Sequence, residues 1–278
     1  MAKHKLPLWA QLGAYGLLVS GGLLFAGPFL WLLGSSFKPE PEVGALTPWP
    51  VSFWTLESYR FVWERLPILR GLANSLLVAG SVTLLVLLTG AMAGYALARL
   101  RWRGREFLFN LALFTMTVPG ILLLIPLYTL IVQLGWTDSP LGLIAPYAAN
   151  AMAVLIFRQS FLSIPQELLD AARLDGCSEW RLLWTVVWPL SKPAFATVGI
   201  LTFLSTWNEV LWPLMVVRDE RWMTLPQLVT LFAVGGGAEA QMGPQLAAAV
   251  LLALPVVAAY AILQRHFVRS LAQTGLKG

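Results

Sequence analysis

Residues Ser163 to Pro193 read SIPQELLDAARLDGCSEWRLLWTVVWPLSKP, the longest polar interruption in the second half of a very apolar chain. Glu167, Asp170, Asp175 and Glu179 alternate there with Arg173, Arg181 and Lys192, and apolar segments long enough to cross a bilayer lie on both sides. A polar helical element held between two membrane helices accounts for both facts. Ser163 with Gln166 three residues on fits a capping box, and Pro165 falls in the first turn, where its missing N–H does no harm. Gln166 to Leu174 are good helix formers, with Leu168, Ala171 and Ala172 spaced to give an apolar face. Gly176 can close that helix in a left-handed cap. Ser178 can start a second helical stretch, which Pro189 and Pro193 keep apart from the next apolar run. The expected product is a short helix, a glycine turn and a second helix on the membrane surface, with the carboxylates of Asp170 and Asp175 at the rim.

Composition sets the class. Of 278 residues, 58% are hydrophobic and only 12% charged, with a mean hydropathy of +0.70, where a soluble domain carries about a quarter charged residues. The expectation is an all-α polytopic membrane protein, one domain over 1–278, with six transmembrane helices. The apolar runs place them at about 12–33, 72–98, 107–133, 141–157, 194–217 and 245–263, with the polar loop 163–193 between the fourth and fifth. The first run is too long for a signal peptide and lacks a small-residue cleavage site. Small residues in the second (Gly80, Gly90, Ala91, Ala93, Gly94) suit close helix packing. Pro119 and Pro126 break the third. The segment from Gly34 to Gly71, rich in Trp and Pro, reads as an interfacial loop with a short helix near Leu56 to Arg65, and Arg218 to Gly243 reads as a second polar loop.

Lysine and arginine counts give the orientation. The N-terminal tail, Arg99 to Arg105, Arg158 to Lys192 and the C-terminal tail together hold 13, against six on the opposite side. Cytoplasmic loops carry the excess, so both termini and the polar loop are expected in the cytoplasm of a cell bounded by this inner membrane. The net charge of +5 reflects topology and gives no reason to expect nucleic acid. The single Cys177 permits no intrachain disulfide, and His4 and His266 lie near opposite ends, so no metal site is expected. There is no G-x-x-x-x-G-K-[ST] phosphate loop and no nucleophile–base cluster. A membrane enzyme is therefore not expected, and if the protein pumps, another protein must supply the force.

The motif Asp170-Ala171-Ala172-Arg173-Leu174-Asp175-Gly176, followed by Leu190 between Pro189 and Pro193, resembles the EAA loop of ABC importer permeases, with Asp170 where that family usually has Glu. Asn74-Ser75 at the start of the second apolar run matches a pair often seen there. Trp207-Asn208-Glu209 with Leu211-Trp212-Pro213-Leu214, the run Ala247 to Leu251 with Leu254-Pro255, and the tail from Gln264 to Gly278 are similar to carbohydrate importers of the maltose type. That resemblance implies a permease without ATPase activity, paired with a second homologous permease, two cytosolic ATPase subunits that bind ATP and Mg, and an extracytoplasmic solute-binding protein. It implies ATPase coupling through Glu167, Asp170, Ala171, Ala172, Asp175 and Gly176, and a C-terminal ATPase contact through Gln273 and Lys277.

A carboxylate inside a span is a functional hypothesis by default. Glu209 with Asn208 is thus a candidate for the translocation path or its outer gate, against a structural hydrogen-bond network as the alternative, and Tyr147 and Asn150 are weaker path candidates. Sugar is the substrate the resemblance implies, with glycerol-3-phosphate or a related phosphodiester second. A secondary transporter is a more distant alternative, disfavoured because Glu209 is the only clearly intramembrane acid.

Overall fold

The computed structural model describes residues 7–44, 51–239 and 241–275, with side chains as far as residue 258. Every regular element among the described residues is a helix. The chain divides into two compact units, Met1–Pro67 with Val229–Val257, and Ile68–Leu228 with Ala258–Gly278.

The first unit opens with α1 (Leu8–Ser35), a 28-residue helix apolar all round. Most of its side chains are uncovered, with Phe25 80% exposed. A helix of that length and composition, left bare by the protein, belongs in hydrocarbon. The helical turn α2 (Glu40–Val43) and the amphipathic α3 (Glu57–Arg65) come next. Polar groups tie this unit together. The Tyr59 and Ser36 hydroxyls share a hydrogen bond of 2.7 Å, and Arg65 pairs with Glu239 at 2.5 Å. The Glu40 carboxylate accepts the N–H groups of Met242 at 2.6 Å and Gly243 at 2.8 Å, satisfying two orphan donors at the start of the last helix. A Cβ on Gly243 would lie 2.5 Å from the Ser58 hydroxyl, so this close approach requires glycine.

In chain order the second unit holds α4 (Ile68–Arg99), α5 (Arg105–Thr115), α6 (Leu124–Gln133), α7 (Pro140–Ile144), α8 (Ala151–Leu162), α9 (Gln166–Leu174), α10 (Glu179–Leu182), α11 (Trp188–Leu190), α12 (Lys192–Trp207) and α13 (Leu211–Val216). The helices α14 (Leu225–Val234) and α15 (Met242–Gly275) belong partly to each unit. The 32-residue α4 is the axis of this unit and packs chiefly on α8 and α12. Its glycines explain the fit: a Cβ on Gly94 would come within 2.7 Å of the Phe157 Cβ, and one on Gly90 within 3.0 Å of the Ala153 Cβ. The Phe157, Phe161 and Phe195 rings pack in the core beside them.

Among the described residues two helices, α1 and α4, are each long and apolar enough to cross a membrane, and three bent pairs are so when taken together. The bends have local causes. The helical run 105–133 turns by 94° at the Pro119 break, whereas Pro126 sits harmlessly in the first turn of α6. The run 140–162 bends by 44° before Asn150 and the run 179–207 by 86° at Ser191. Four expectations change. The helix expected over 141–157 is interrupted before Asn150, which caps a separate helix that runs on to Leu162. The helix expected over 194–217 ends at Trp207, and Asn208 to Val210 separate it from α13. The stretch from Arg218 to Gly243 is not a simple loop, because α14 occupies Leu225–Val234. Pro189 does not separate the second helical stretch from the next, because it lies inside α11 and the break falls at Ser191.

Candidate functional site

The geometry of α9 differs from the sequence expectation at its start. Ser163 ends α8 and donates to the Ser160 carbonyl at 2.7 Å, and α9 begins after Pro165 with no side-chain cap. No capping box forms, because the helix starts at Gln166 with Pro165 at its N-cap position, leaving Ser163 outside it. The helix is consequently rotated from the expected face. Leu169 is fully buried, Ala172 and Arg173 turn inward with it at the i+3 and i+4 positions, and Leu168 stays exposed. Gly176 ends the helix with φ of +81°, and a Cβ there would meet no atom within 4 Å. Its requirement for glycine is therefore conformational rather than steric crowding. Ser178 then caps α10, accepting the Arg181 N–H at 3.3 Å.

The charges of the loop form its mount. Arg173 reaches Glu179 at 2.8 Å and Asp170 at 2.9 Å, and the Gln166 amide donates to Asp170 at 2.9 Å. The Gln166 and Arg173 hydrogen bonds hold the Asp170 carboxyl below the usual carboxylate range, and the hydrogen bond to Glu179 pushes Arg173 up. The Tyr95 hydroxyl of α4 donates to Glu179. At the end of α4, Arg99 donates to the Phe161 carbonyl at 3.0 Å and to the Ile164 carbonyl, and its third arm donates to Gln166 at 2.8 Å. One guanidinium thus joins the end of α8, the start of α9 and the end of α4, a task suited to its fixed fork of donors.

The sequence-predicted coupling residues sort accordingly. Glu167, Asp170, Ala171, Asp175 and Gly176 are exposed and Ala172 is half-buried. Leu168 and Leu174 share the exposed side, with Leu174 89% exposed. Sequence reasoning missed Tyr95, Arg99 and the Arg173–Glu179 pair. Their one sequence signal is the opposite charge of Arg173 and Glu179 on either side of the glycine turn.

The second candidate region lies at the break after α12. Asn208 caps that helix, its side chain donating to the Leu204 carbonyl at 2.8 Å, and it is exposed. The Glu209 carboxylate accepts the Trp212 N–H at 3.0 Å at the start of α13. Glu209 and Tyr147 line a cavity of about 10 Å³ together with Trp207 and Thr224. The Trp207 indole N–H and the Thr224 hydroxyl are buried there without a partner among the described residues. Asn150 is not part of this group: it caps α8, accepting the N–H groups of Met152 at 2.8 Å and Ala153 at 3.2 Å. Of the four path candidates, the structure brings Tyr147 and Glu209 together. Of the tail candidates, Lys277 and the Gln273 side chain lie outside the described residues.

Among the described residues no group of His, Cys, Asp or Glu could hold a metal ion. Residues 86–273 match the family described as the binding-protein-dependent transport system inner membrane component. The chain belongs to this family. Over 261 residues it is 35% identical to the arabinooligosaccharides transport system permease protein of Bacillus subtilis (strain 168), covering 92% of each chain. It is 34% identical over 203 residues to the sn-glycerol-3-phosphate transport system permease protein of Yersinia enterocolitica, covering 73% of this chain and 72% of that one. In three dimensions it is similar to a subunit of a bacterial ABC transporter for import of the acidic polysaccharide alginate, with a TM-score of 0.81, 23% identity, and coverage of 96% of this chain and all of that one. This binding-protein-dependent permease is accordingly an all-helical, membrane-embedded transport subunit.

Proposed function

We propose that this permease is one of two related membrane subunits of an ATP-driven sugar importer, and that it couples solute movement to ATP hydrolysis through α9. The observation that carries the reading is the division of α9 into two sides. Leu169, Arg173 and the Arg99 clamp hold one side on the helix core, while Glu167, Leu168, Ala171, Leu174 and Asp175 stand outward. A rigidly mounted knob with an apolar, acidic-rimmed face suits docking into a socket on a cytosolic ATPase. In this reading the chain spans the inner membrane six times, with both termini and α9 in the cytoplasm. ATP and Mg are held by the two ATPase subunits, the second permease completes the path, and the binding protein docks on the opposite face. Glu209 and Tyr147 line the path on this subunit, with Asn208 and Asn150 shaping the adjoining helix ends. Gln273 and Lys277 reach the ATPase dimer.

Sugar is preferred as the substrate because the match to the arabinooligosaccharide permease extends over nearly the whole of both chains. The glycerol-3-phosphate permease supports a second reading over a shorter span. Vesicles containing the full complex test both at once. Binding protein added on the face opposite the ATPases should stimulate hydrolysis and drive labelled oligosaccharide toward the ATPase side. Movement the other way, or indifference to the binding protein, removes the importer reading. Glycerol-3-phosphate uptake without oligosaccharide uptake selects the second substrate.

A further inference from the structure

Four arginines stand between Arg99 and Arg105, and the structure separates them into two kinds. Arg99 turns inward onto the Phe161 and Ile164 carbonyls. Arg105 donates to the Leu100 carbonyl at 3.4 Å and pairs with Glu106 at 3.0 Å. Arg101 and Arg103 are exposed, and neither makes a hydrogen bond or close ion pair among the described residues. The acids nearest this loop are already engaged: Glu106 by Arg105 and by Arg158 at 3.4 Å, and Asp170 by Arg173. Arg101 adds a longer-range attraction to Asp170, and neither arginine has a close acidic partner among the described residues, so both are open to an anion from outside the chain.

The surroundings select its source. Arg101, Trp102, Gly104, Arg105, Glu106 and Phe107 line an open cavity of about 480 Å³, with Arg103 outside its lining and Glu106 held by Arg105. The helix that leaves it, α5, begins after Gly104 with no side-chain cap and points apolar side chains outward, with Phe107 70% and Phe114 65% exposed. On the other side the loop follows α4, whose 32 residues span about 48 Å, longer than the ~30 Å hydrocarbon core. A helix of that length can carry the loop out of the hydrocarbon to the depth of lipid headgroups. Trp102, 39% exposed, is a residue of that zone.

We propose that Arg101 and Arg103, flanking Trp102, bind the phosphate of an anionic phospholipid, whose acyl chains lie along Phe107 and Phe114 of α5. Guanidinium groups match phosphate oxygens by paired hydrogen bonds, and basic residues at a membrane surface attract anionic lipid. The proposal requires this loop to meet the membrane surface and does not depend on the direction or substrate of transport. A complex that fails to import sugar therefore leaves it standing.

The test is titration of acyl-labelled phosphatidylglycerol onto the intact complex in neutral detergent, with labelled phosphatidylcholine in parallel. Wild type should prefer phosphatidylglycerol and lose affinity as salt rises. Arg101→Gln and Arg103→Gln should each weaken phosphatidylglycerol binding about fivefold, and the double variant about 25-fold, from the typical attraction of one basic group at a charged membrane surface. The double lysine variant keeps the charge and loses the paired hydrogen bonds, so it should fall between wild type and the double glutamine variant, and Arg60→Gln, remote in sequence, should change nothing. Equal binding by the double glutamine variant and wild type overturns the proposal, as does salt-insensitive wild-type binding. Displacement of the lipid by inorganic phosphate at matching concentrations also overturns it, because the site would then serve free phosphate. If the glutamine variants do not assemble, the wild-type salt dependence and lipid preference still decide.

Discussion

The loop around α9 and the break after α12 both place charged or amide side chains between apolar helices, but they use them differently. In the loop the charges satisfy one another: Arg173 holds Asp170 and Glu179, and Tyr95 and Arg99 fasten the assembly to α4 and α8. The side left outward is a mixed surface containing Leu168 and Leu174. At the break, Asn208 and Glu209 mend interrupted backbone, and the groups left over, the Trp207 indole N–H and the Thr224 hydroxyl, are buried without partners among the described residues. One region has finished its interior and offers its exterior. The other has an unfinished interior of the kind a solute or water could complete. That difference suits a docking knob in the first case and a transport path in the second.

The comparison breaks most easily at Arg99. Arg99→Ala strips donors from the Phe161 and Ile164 carbonyls and from Gln166. It should destabilise the second unit by about 2–4 kcal/mol, seen as a lower unfolding midpoint of the purified complex, with transport falling further than ATPase activity. Lysine at this position should recover only part, since it lacks the planar fork. An Arg99→Ala complex as stable and as well coupled as wild type would mean that α9 is held by Leu169 alone.

Gly176 offers a cleaner separation of backbone from packing. Because a Cβ there meets nothing, Gly176→Val should cost only the left-handed conformation, about 1–2 kcal/mol, and should uncouple hydrolysis from uptake. Gly176→Asn should be nearly silent, as asparagine tolerates that conformation. Equal damage from both would locate the sensitivity in a partner contact at this point. Tyr95→Phe removes one hydrogen bond to Glu179 and should cost about 1 kcal/mol. It should leave assembly intact and lower the amount of solute moved per ATP hydrolysed.

Much of this was legible in the sequence because it depends on local signals. Apolar runs marked α1 and α4, Gly176 marked a positive φ, and Ser178 marked the start of α10. The face of α9 was not legible. Leu168 and Leu169 are adjacent and equally apolar, and only tertiary packing, which seats Leu169 in the core with Ala172 against it, decides which is buried. The clamp was hidden for a related reason: Arg99 and Gln166 are 67 positions apart, and Arg99 stood among three other arginines that looked identical in a charge count. The interruption at Asn208 to Val210 escaped because apolar residues flank it on both sides, so Asn208 and Glu209 read as a polar site inside one continuous span. Proline-driven breaks were legible in kind and imprecise in place, with Pro119 at a bend and Pro126 inside a first turn.

The finest test of the comparison is at Glu209, where backbone repair and a path role overlap in one carboxylate. Glu209→Gln keeps an oxygen able to accept the Trp212 N–H and removes only the charge. The complex should therefore unfold within about 0.5 kcal/mol of wild type. Glu209→Ala removes the acceptor as well and should cost about 1 kcal/mol, the usual worth of a lost helix cap. If the charge serves the path beside Tyr147, transport should fall in both variants, and in Glu209→Gln it should fall without any loss of stability. If the residue only completes the start of α13, Glu209→Gln should import as wild type does and Glu209→Ala should lose activity only in step with stability. Measuring unfolding and uptake on the same preparations separates the two, because a charge role and a capping role predict different results for the glutamine variant alone.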